Sequence, residues 1–417
     1  MNRQKLLPVA GCLLLFVLAV MAYPVGYHPE SRLRDTGYES LAVADSLAEH
    51  GTFADPYYPL KTGPTALIPP AYPAFLGLLI HWFGAGPRGA FALQWCATLF
   101  MALQIALFPW AARRLGMGYA AGFVAGCLWL AAGIPKFDLW DATPYGLVTL
   151  LLACVSSPSG PGEPSQRRMV LSGMLWGVSL LFNPAGIVVL GALLAWLYFS
   201  RRAAGRGILT LALVPLAVVA PWIVRDYVEL HHIIFVRDNL GLQLAISNND
   251  CASYSFELDR YTRCFAPQHP NESLSEARKV VELGEVEYDR TRLRQAVEWS
   301  AGHPRRFLQL TAERFETFWI PRLIRYPWEQ SGDVPRRRLL VSVLTVLSLP
   351  GLFLLWRSER PAAVACLLWL VLFPPVYYLT GYQERFRNPI LWATFLPASW
   401  LLVEGARRFL QKPAASA

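Results

Sequence analysis

About ten stretches of this chain are apolar over close to the roughly 20 residues that a helix needs to cross the hydrocarbon core of a bilayer. They fall at 6–24, 89–112, 119–135, 142–155, 169–183, 185–200, 207–224, 339–356, 361–380 and 388–404. A backbone placed in lipid must satisfy its own N–H and C=O groups, so each stretch is expected to be a helix. Those at 119–135, 142–155 and 169–183 are short and call for thinned or protein-shielded surroundings. Composition agrees: of 417 residues, 54% are hydrophobic and 16% charged, with 15 Trp, too apolar for an ordinary soluble enzyme. The expected fold class is an all-α polytopic membrane protein of about ten transmembrane helices.

Orientation follows from Lys and Arg, which short cytoplasmic loops retain. Arg3 and Lys5, Arg113 and Arg114, Arg167 and Arg168, Arg201, Arg202 and Arg206, Arg357 and Arg360, and Arg407, Arg408 and Lys412 share one side of a ten-span arrangement. Both termini are then cytoplasmic. The net charge of +9 thereby reports topology and attraction to anionic lipid, and no nucleic-acid partner is expected. Arg336, Arg337 and Arg338 break the rule at the end of a long loop, where charge counting loses force. The expected organisation is an N-terminal membrane module over 1–224 with a first outward loop at 25–88, an outward subdomain over 225–338, α or α/β, and a C-terminal membrane module over 339–417. MNRQK and the apolar run ending in AVMA also match the layout of a cleaved signal peptide.

Acids and bases cluster at the outward face instead of mid-span, where transporters and pumps keep theirs. Asp35, Lys61, Asp138, Asp141, Arg225, Arg237, Arg385 and Arg387 are all expected there. After Asp35, the positions Tyr38, Leu41, Ala44, Leu47 and Ala48 recur at helical spacing, which predicts an amphipathic helix on a surface. Asp35 is either its N-cap or a catalyst. Thr36-x-x-Glu39 is a capping-box pattern that leaves Asp35 unneeded as a cap. Next, KTGPTALIPPAYPAFLGLLIHWFG reads as an extended Pro-rich segment ending in an interfacial helix, since Pro69, Pro70 and Pro73 suit a helix start and not its interior. Lys61 there is either a phosphate contact or a solvated lysine.

In KFDLWDATPYG, Asp138 and Asp141 stand three apart: a sugar- or acceptor-positioning acid, a metal ligand, or a cap for the next span. YYLTGYQERFRNPI puts Arg385 and Arg387 in a short loop that should be poor in positive charge, beside an aromatic cluster of Tyr377, Tyr378 and Tyr382. The planar guanidinium fork suits phosphate oxygens. Cys251 and Cys264 lie in the outward segment and predict a disulfide in an oxidising compartment, with free thiols as the alternative. The remaining cysteines lie in apolar spans, and no Cys/His zinc pattern occurs.

Asp35 followed by Tyr38, Ala42, Asp45-Ser46-Leu47 and Gly51 resembles the GT-C superfamily of membrane glycosyltransferases, most closely the bacterial branch related to protein mannosyltransferases and the aminoarabinose lipid A transferase. TGPTALIPPAYPAFLGLLIHWFG is similar to that branch's first-loop segment, APWIVRDYVELHHIIFVRDNLGLQLAISNN to a stretch leading into its outward subdomain, and Arg385-x-Arg387-x-Pro389 to its late basic loop. Many members carry Asp-Glu in the first loop, whereas Thr36 follows Asp35 here. The resemblance favours a retained first anchor. It implies transfer of a sugar from a polyprenyl-phosphate donor to a glycan, lipid or protein acceptor at the outer face of a bacterial cytoplasmic membrane, with inversion. Asp35 would be the base, with Arg385, Arg387, Lys61 and Tyr382 toward the donor phosphate. Asp138 or Asp141 would position the sugar or acceptor. A divalent metal is admitted and no other cofactor is expected. The competing readings are a flippase for a lipid-linked sugar, which would want polar groups deep in the spans, and a ligase that moves a whole glycan from its carrier.

Overall fold

Every one of the apolar stretches forms a helix. The computed structural model describes residues 3–31, 33, 38–137, 139–157, 164–327 and 333–410. In chain order the apolar helices are α1 (Arg3–Ala22), then α4 (Pro87–Arg114), α5 (Tyr119–Ala132), α6 (Ala142–Ser156), α7 (Gln166–Phe182), α8 (Gly186–Phe199), α9 (Gly205–Leu230), α15 (Val334–Ser358), α16 (Arg360–Leu372) and α18 (Trp392–Leu410). Between α1 and α4 lie α2 (Glu39–His50) and α3 (Ala71–Phe83). Between α9 and α15 lie α10 (Leu240–Ser247), α11 (Phe256–Tyr261), α12 (Leu274–Leu283), α13 (Glu285–Gly302) and α14 (Pro304–Trp319), and α17 (Pro375–Leu379) follows α16. Among the described residues the regular elements of the outward segment are all helices, so the α alternative holds for it and the α/β one does not.

By length and composition, 4 helices among the described residues are long and apolar enough to cross a membrane, or up to 5 if the bent pair Glu384–Ile390 and Trp392–Leu410 counts as one. The stretch expected over 361–380 is one of these, Arg360–Leu379, interrupted between α16 and α17 where Pro374 and Pro375 cannot donate backbone N–H groups. At its other limit, α9 runs on to Leu230, which puts Arg225 and Asp226 on its last turns and not in a loop. Arg336, Arg337 and Arg338 likewise sit in the first turns of α15, where Arg337 makes a bidentate pair with Glu384 at 2.9 Å through each nitrogen. That contact gives the unexpected arginine a structural task.

Small residues let the apolar helices meet closely. Gly173 and Gly177 face α9, and a Cβ at Gly177 would stand 2.4 Å from the Cβ of Val218. Trp176 of α7 stacks on Trp369 of α16 at 5.6 Å between ring centroids. In the first loop, α2 and α3 bury Leu41, Ala44, Tyr72, Leu76, Leu79 and Ile80 against Leu93 of α4. The predicted amphipathic helix is therefore present, but Tyr38 stands at its N-cap with no side-chain cap, and Glu39 is its first residue. Glu39 is thus too early to act as the third residue of a capping box, and its carboxylate turns to His269 of the outward segment instead, 3.3 Å away. Thr36 lies outside the described residues. Gly51, with φ at 69°, ends α2 in the left-handed conformation that glycine adopts without strain.

Candidate active site

Two polar latches bring the first loop under the outward segment. Arg225 donates from Nη1 to the Thr65 carbonyl and from Nη2 to the Phe53 carbonyl, both at 2.6 Å, and pairs with Asp226 at 2.9 Å. Glu285, at the start of α13, is hydrogen-bonded to the Thr65 hydroxyl and accepts from the Ala66 amide at 2.7 Å. Burial pushes the Glu285 carboxyl up to about 8, with Asp238 and Asp289 adding to the rise. Asp289 accepts the amides of Gly241 and Leu242 at 3.0 and 2.8 Å, which places a carboxylate at the electropositive start of α10. A Cβ at Gly241 would come within 2.0 Å of the Asp289 carbonyl, so only glycine lets α10 lie this close to α13.

These contacts leave a cavity of about 190 Å³ whose walls come from five parts of the chain. The first loop supplies Glu39, Leu67, Ile68, Pro69 and Tyr72; the 136–141 turn supplies Trp140 and Asp141; and Asn183 follows α7. The outward segment adds Arg237, Gln243, Arg260 and His269, and the late loop adds Tyr377, Gln383 and Arg385. A second cavity of about 380 Å³ lies alongside, lined among others by Tyr38, Glu257, Arg322, Arg337 and Tyr382. Trp140, Arg260, Gln383 and Arg385 belong to both walls.

Arg385 stands at that shared wall. Its guanidinium carbon lies 3.1 Å from the centroid of Trp140 and 5.0 Å from that of Phe386, a cation held on aromatic faces. Only its Nε is hydrogen-bonded among the described residues, to Gln383 Oε1 at 2.6 Å. Burial pulls the Asp141 carboxyl up from the usual range, while the fields of Arg385 and Arg237 pull it back down. Arg237 is itself lowered by burial and supported by Tyr377, Asp141 and Glu39, and its Nε donates to the Leu67 carbonyl at 3.1 Å. Glu39 and Asp141 thus share the walls of one cavity with Arg237, Arg260 and Arg385.

The residues singled out from sequence part company here. Asp141 and Arg385 line the first cavity; Tyr382 lines the second, its N–H bonded to the Tyr254 carbonyl at 2.8 Å. Arg387 is 4% exposed and faces away, its guanidinium held by the carbonyls of Phe318 at 3.1 Å and Trp319 at 2.8 Å and by Thr345 Oγ1 at 2.5 Å. Lys61 is exposed and lines neither cavity. Asp35 and Asp138 lie outside the described residues. Cys251 and Cys264 form a disulfide that closes the loop carrying α11. Among the described residues no three His, Cys, Asp or Glu side chains gather as a metal-binding group. Sequence reading cast Glu39 only as a capping-box partner and gave no site role to His269 or Arg237; Arg237 was expected at the outward face, whereas His269 carries no local pattern.

No protein-family model and no curated protein matches the chain. Solved structures do. The archaeal oligosaccharyltransferase AglB from Archaeoglobus fulgidus, in complex with an inhibitory peptide and a dolichol-phosphate, superposes with a TM-score of 0.53 at 14% identity, over 100% of this chain and 53% of its own. The Archaeoglobus fulgidus oligosaccharyltransferase with Zn and sulfate gives 0.53 at 14% identity, over 96% of this chain and 49% of its own. This chain thus spans about half the length of those enzymes. ArnT from Cupriavidus metallidurans bound to undecaprenyl phosphate overlaps more loosely, at 0.36 and 16% identity, over 97% of this chain and 78% of its own. The helical architecture around this cavity is shared with those two oligosaccharyltransferase structures, and the likeness is one of fold.

Proposed function

We propose that the protein is a glycosyltransferase that moves a sugar from a polyprenyl-phosphate carrier to an acceptor hydroxyl at the outer face of the cytoplasmic membrane, its ten apolar helices all crossing and both termini inside. The observation that carries this reading is Arg385, a cation held on Trp140 in the wall common to two cavities, with Asp141 nearby. A phosphate leaving group needs stabilised negative charge and no general acid, and a guanidinium with open nitrogens supplies it. In the reaction the acceptor oxygen attacks the anomeric carbon as its bond to the phosphate oxygen breaks. The bonding pair leaves with the polyprenyl phosphate, and the hydroxyl proton passes to a carboxylate. Direct attack inverts the anomeric centre.

Asp35 is the base in this reading, placed by its sequence position just before α2, and Asp141 orients the sugar or acceptor. Arg385 contacts the donor phosphate. Arg387 acts on the donor indirectly, by fixing the late loop, and Lys61 reaches the phosphate only from the loop's outer edge. Among the described cavity residues, Glu39 and Asp141 stand with Arg237, Arg260 and Arg385, a set that does not by itself suit a divalent cation.

The test is transfer of radiolabelled sugar from polyprenyl-phosphate donors by purified protein in detergent. Wild type is expected to turn over, and Asp35→Asn to lose at least about 100-fold, the usual scale for a positioned base. Normal turnover by a folded Asp35→Asn removes Asp35 as the base. Movement of such a lipid between leaflets without any transfer replaces the enzyme reading with a transporter.

A further inference from the structure

We infer that Glu39 is the residue by which this cavity reads a hydroxyl of the transferred sugar, and that His269 is its positioning residue. The inference rests on the glycosyl-transfer reading above.

Glu39 opens α2, where the free amides of the first turn favour a carboxylate. Its Oε1 meets His269 Nε2 at 3.3 Å, while Oε2 has no partner among the described residues and the side chain lines the cavity. His269 is fixed on several sides. Phe265 stacks on the ring at 4.8 Å and Tyr57 meets it edge-on at 6.2 Å. Its Nδ1 accepts the Asn271 amide at 3.2 Å, which assigns the proton of a neutral ring to Nε2, pointing at Glu39. Burial lowers the His269 pKa to about 4, so the ring donates to Glu39 as a neutral group. Neither Arg237 nor Arg385 makes a direct ion pair with Glu39 among the described residues, although both lie within its field. A carboxylate locked at one oxygen and open at the other is a directional acceptor. The aromatic and aliphatic walls from Leu67, Ile68, Tyr72 and Trp140 fit a sugar's C–H faces, and its hydroxyls are the donors such an oxygen selects.

The experiment pairs enzyme variants with substrate deletions. Purified full-length protein is given a polyprenyl-phosphate sugar that the wild type uses and the matching deoxy donors, each lacking one hydroxyl, and kcat/KM is measured. Wild type is expected to reject one deoxy donor by roughly 10- to 100-fold, the scale of a lost charge-assisted hydrogen bond. Glu39→Ala should slow the parent donor to the level of that deoxy donor and abolish the discrimination. His269→Ala should erode the same discrimination, and His269→Gln, whose amide can reach Glu39 in place of Nε2, should restore it. Should Glu39→Ala not fold, Glu39→Gln keeps the volume and is expected to reduce the ratio at that one hydroxyl alone. Equal losses on every donor, or no hydroxyl that wild type discriminates, overturn the inference while leaving glycosyl transfer intact. Absence of transfer from any polyprenyl-phosphate sugar by wild type overturns both.

Discussion

Arg385 and Arg387 stand two residues apart and answer to opposite needs. Arg385 lines both cavities with only its Nε hydrogen-bonded among the described residues, and Arg387 gives its terminal nitrogens to the carbonyls of Phe318 and Trp319 and to Thr345. Arg385→Ala is therefore expected to reduce turnover by about 100-fold or more with little change in thermal stability, as loss of a preorganised charge stabiliser does. Arg387→Ala should instead lower stability by about 1–3 kcal/mol by stranding buried acceptors, read as a fall in Tm in detergent. The Arg-x-Arg pattern was legible as a basic loop, but not which arginine lines the cavities. That depends on the 3-10 turns Glu384–Phe386 and Asn388–Ile390, which rotate the two side chains apart. Asp141 was likewise legible as an outward acid, and its burial beside two arginines was not, because Arg237 and Arg385 arrive from distant parts of the chain.

Among elements, the hold of α13 on the first loop is a proton-dependent contact. The Glu285 carboxyl titrates near 8 in the fold and near 4.5 in an unfolded chain, so over that interval the folded state binds more protons. Stability from this group is complete below about 4.5 and is lost as pH rises through 8. Tm should decline more steeply from pH 5 to pH 9 in wild type than in Glu285→Gln, whose amide keeps both an acceptor for Ala66 and a donor for Thr65. Equal slopes would mean that Glu285 ionises freely in place. The Pro-rich segment before α3 was readable as an extended loop, since proline denies it a helix interior. Its fastening to Glu285 and Arg225 was not, since those partners lie more than a hundred residues on. The start of α2 was misjudged for a related reason: local capping preference is worth about 1 kcal/mol, and the docking of Glu39 on His269 competes with it.

At the scale of the molecule, the apolar helices were legible from hydropathy, since a long apolar run favours a helix that satisfies its own backbone. The outward segment is different, for its composition suggested a soluble unit and its contacts tie it to the first loop and to α17. Arg314, fully buried in α14, donates to the Asn248 side chain at 3.1 Å and to the Leu379 carbonyl at 3.0 Å, and is hydrogen-bonded to the Ser247 carbonyl. Asn248 also reaches the Leu379 carbonyl at 2.9 Å. Residues 225–338 expressed alone should therefore show at most partial helicity and no cooperative melting by circular dichroism, because the buried polar groups lose their partners. A sharp transition in the isolated segment would show that it is autonomous.

The wall that Trp140 and Arg385 share between the two cavities carries a thermodynamic consequence. A ligand that draws Arg385 toward one chamber alters the charge offered to the other, so the two binding events are linked, and whatever factor the first imposes on the second, the second returns to the first.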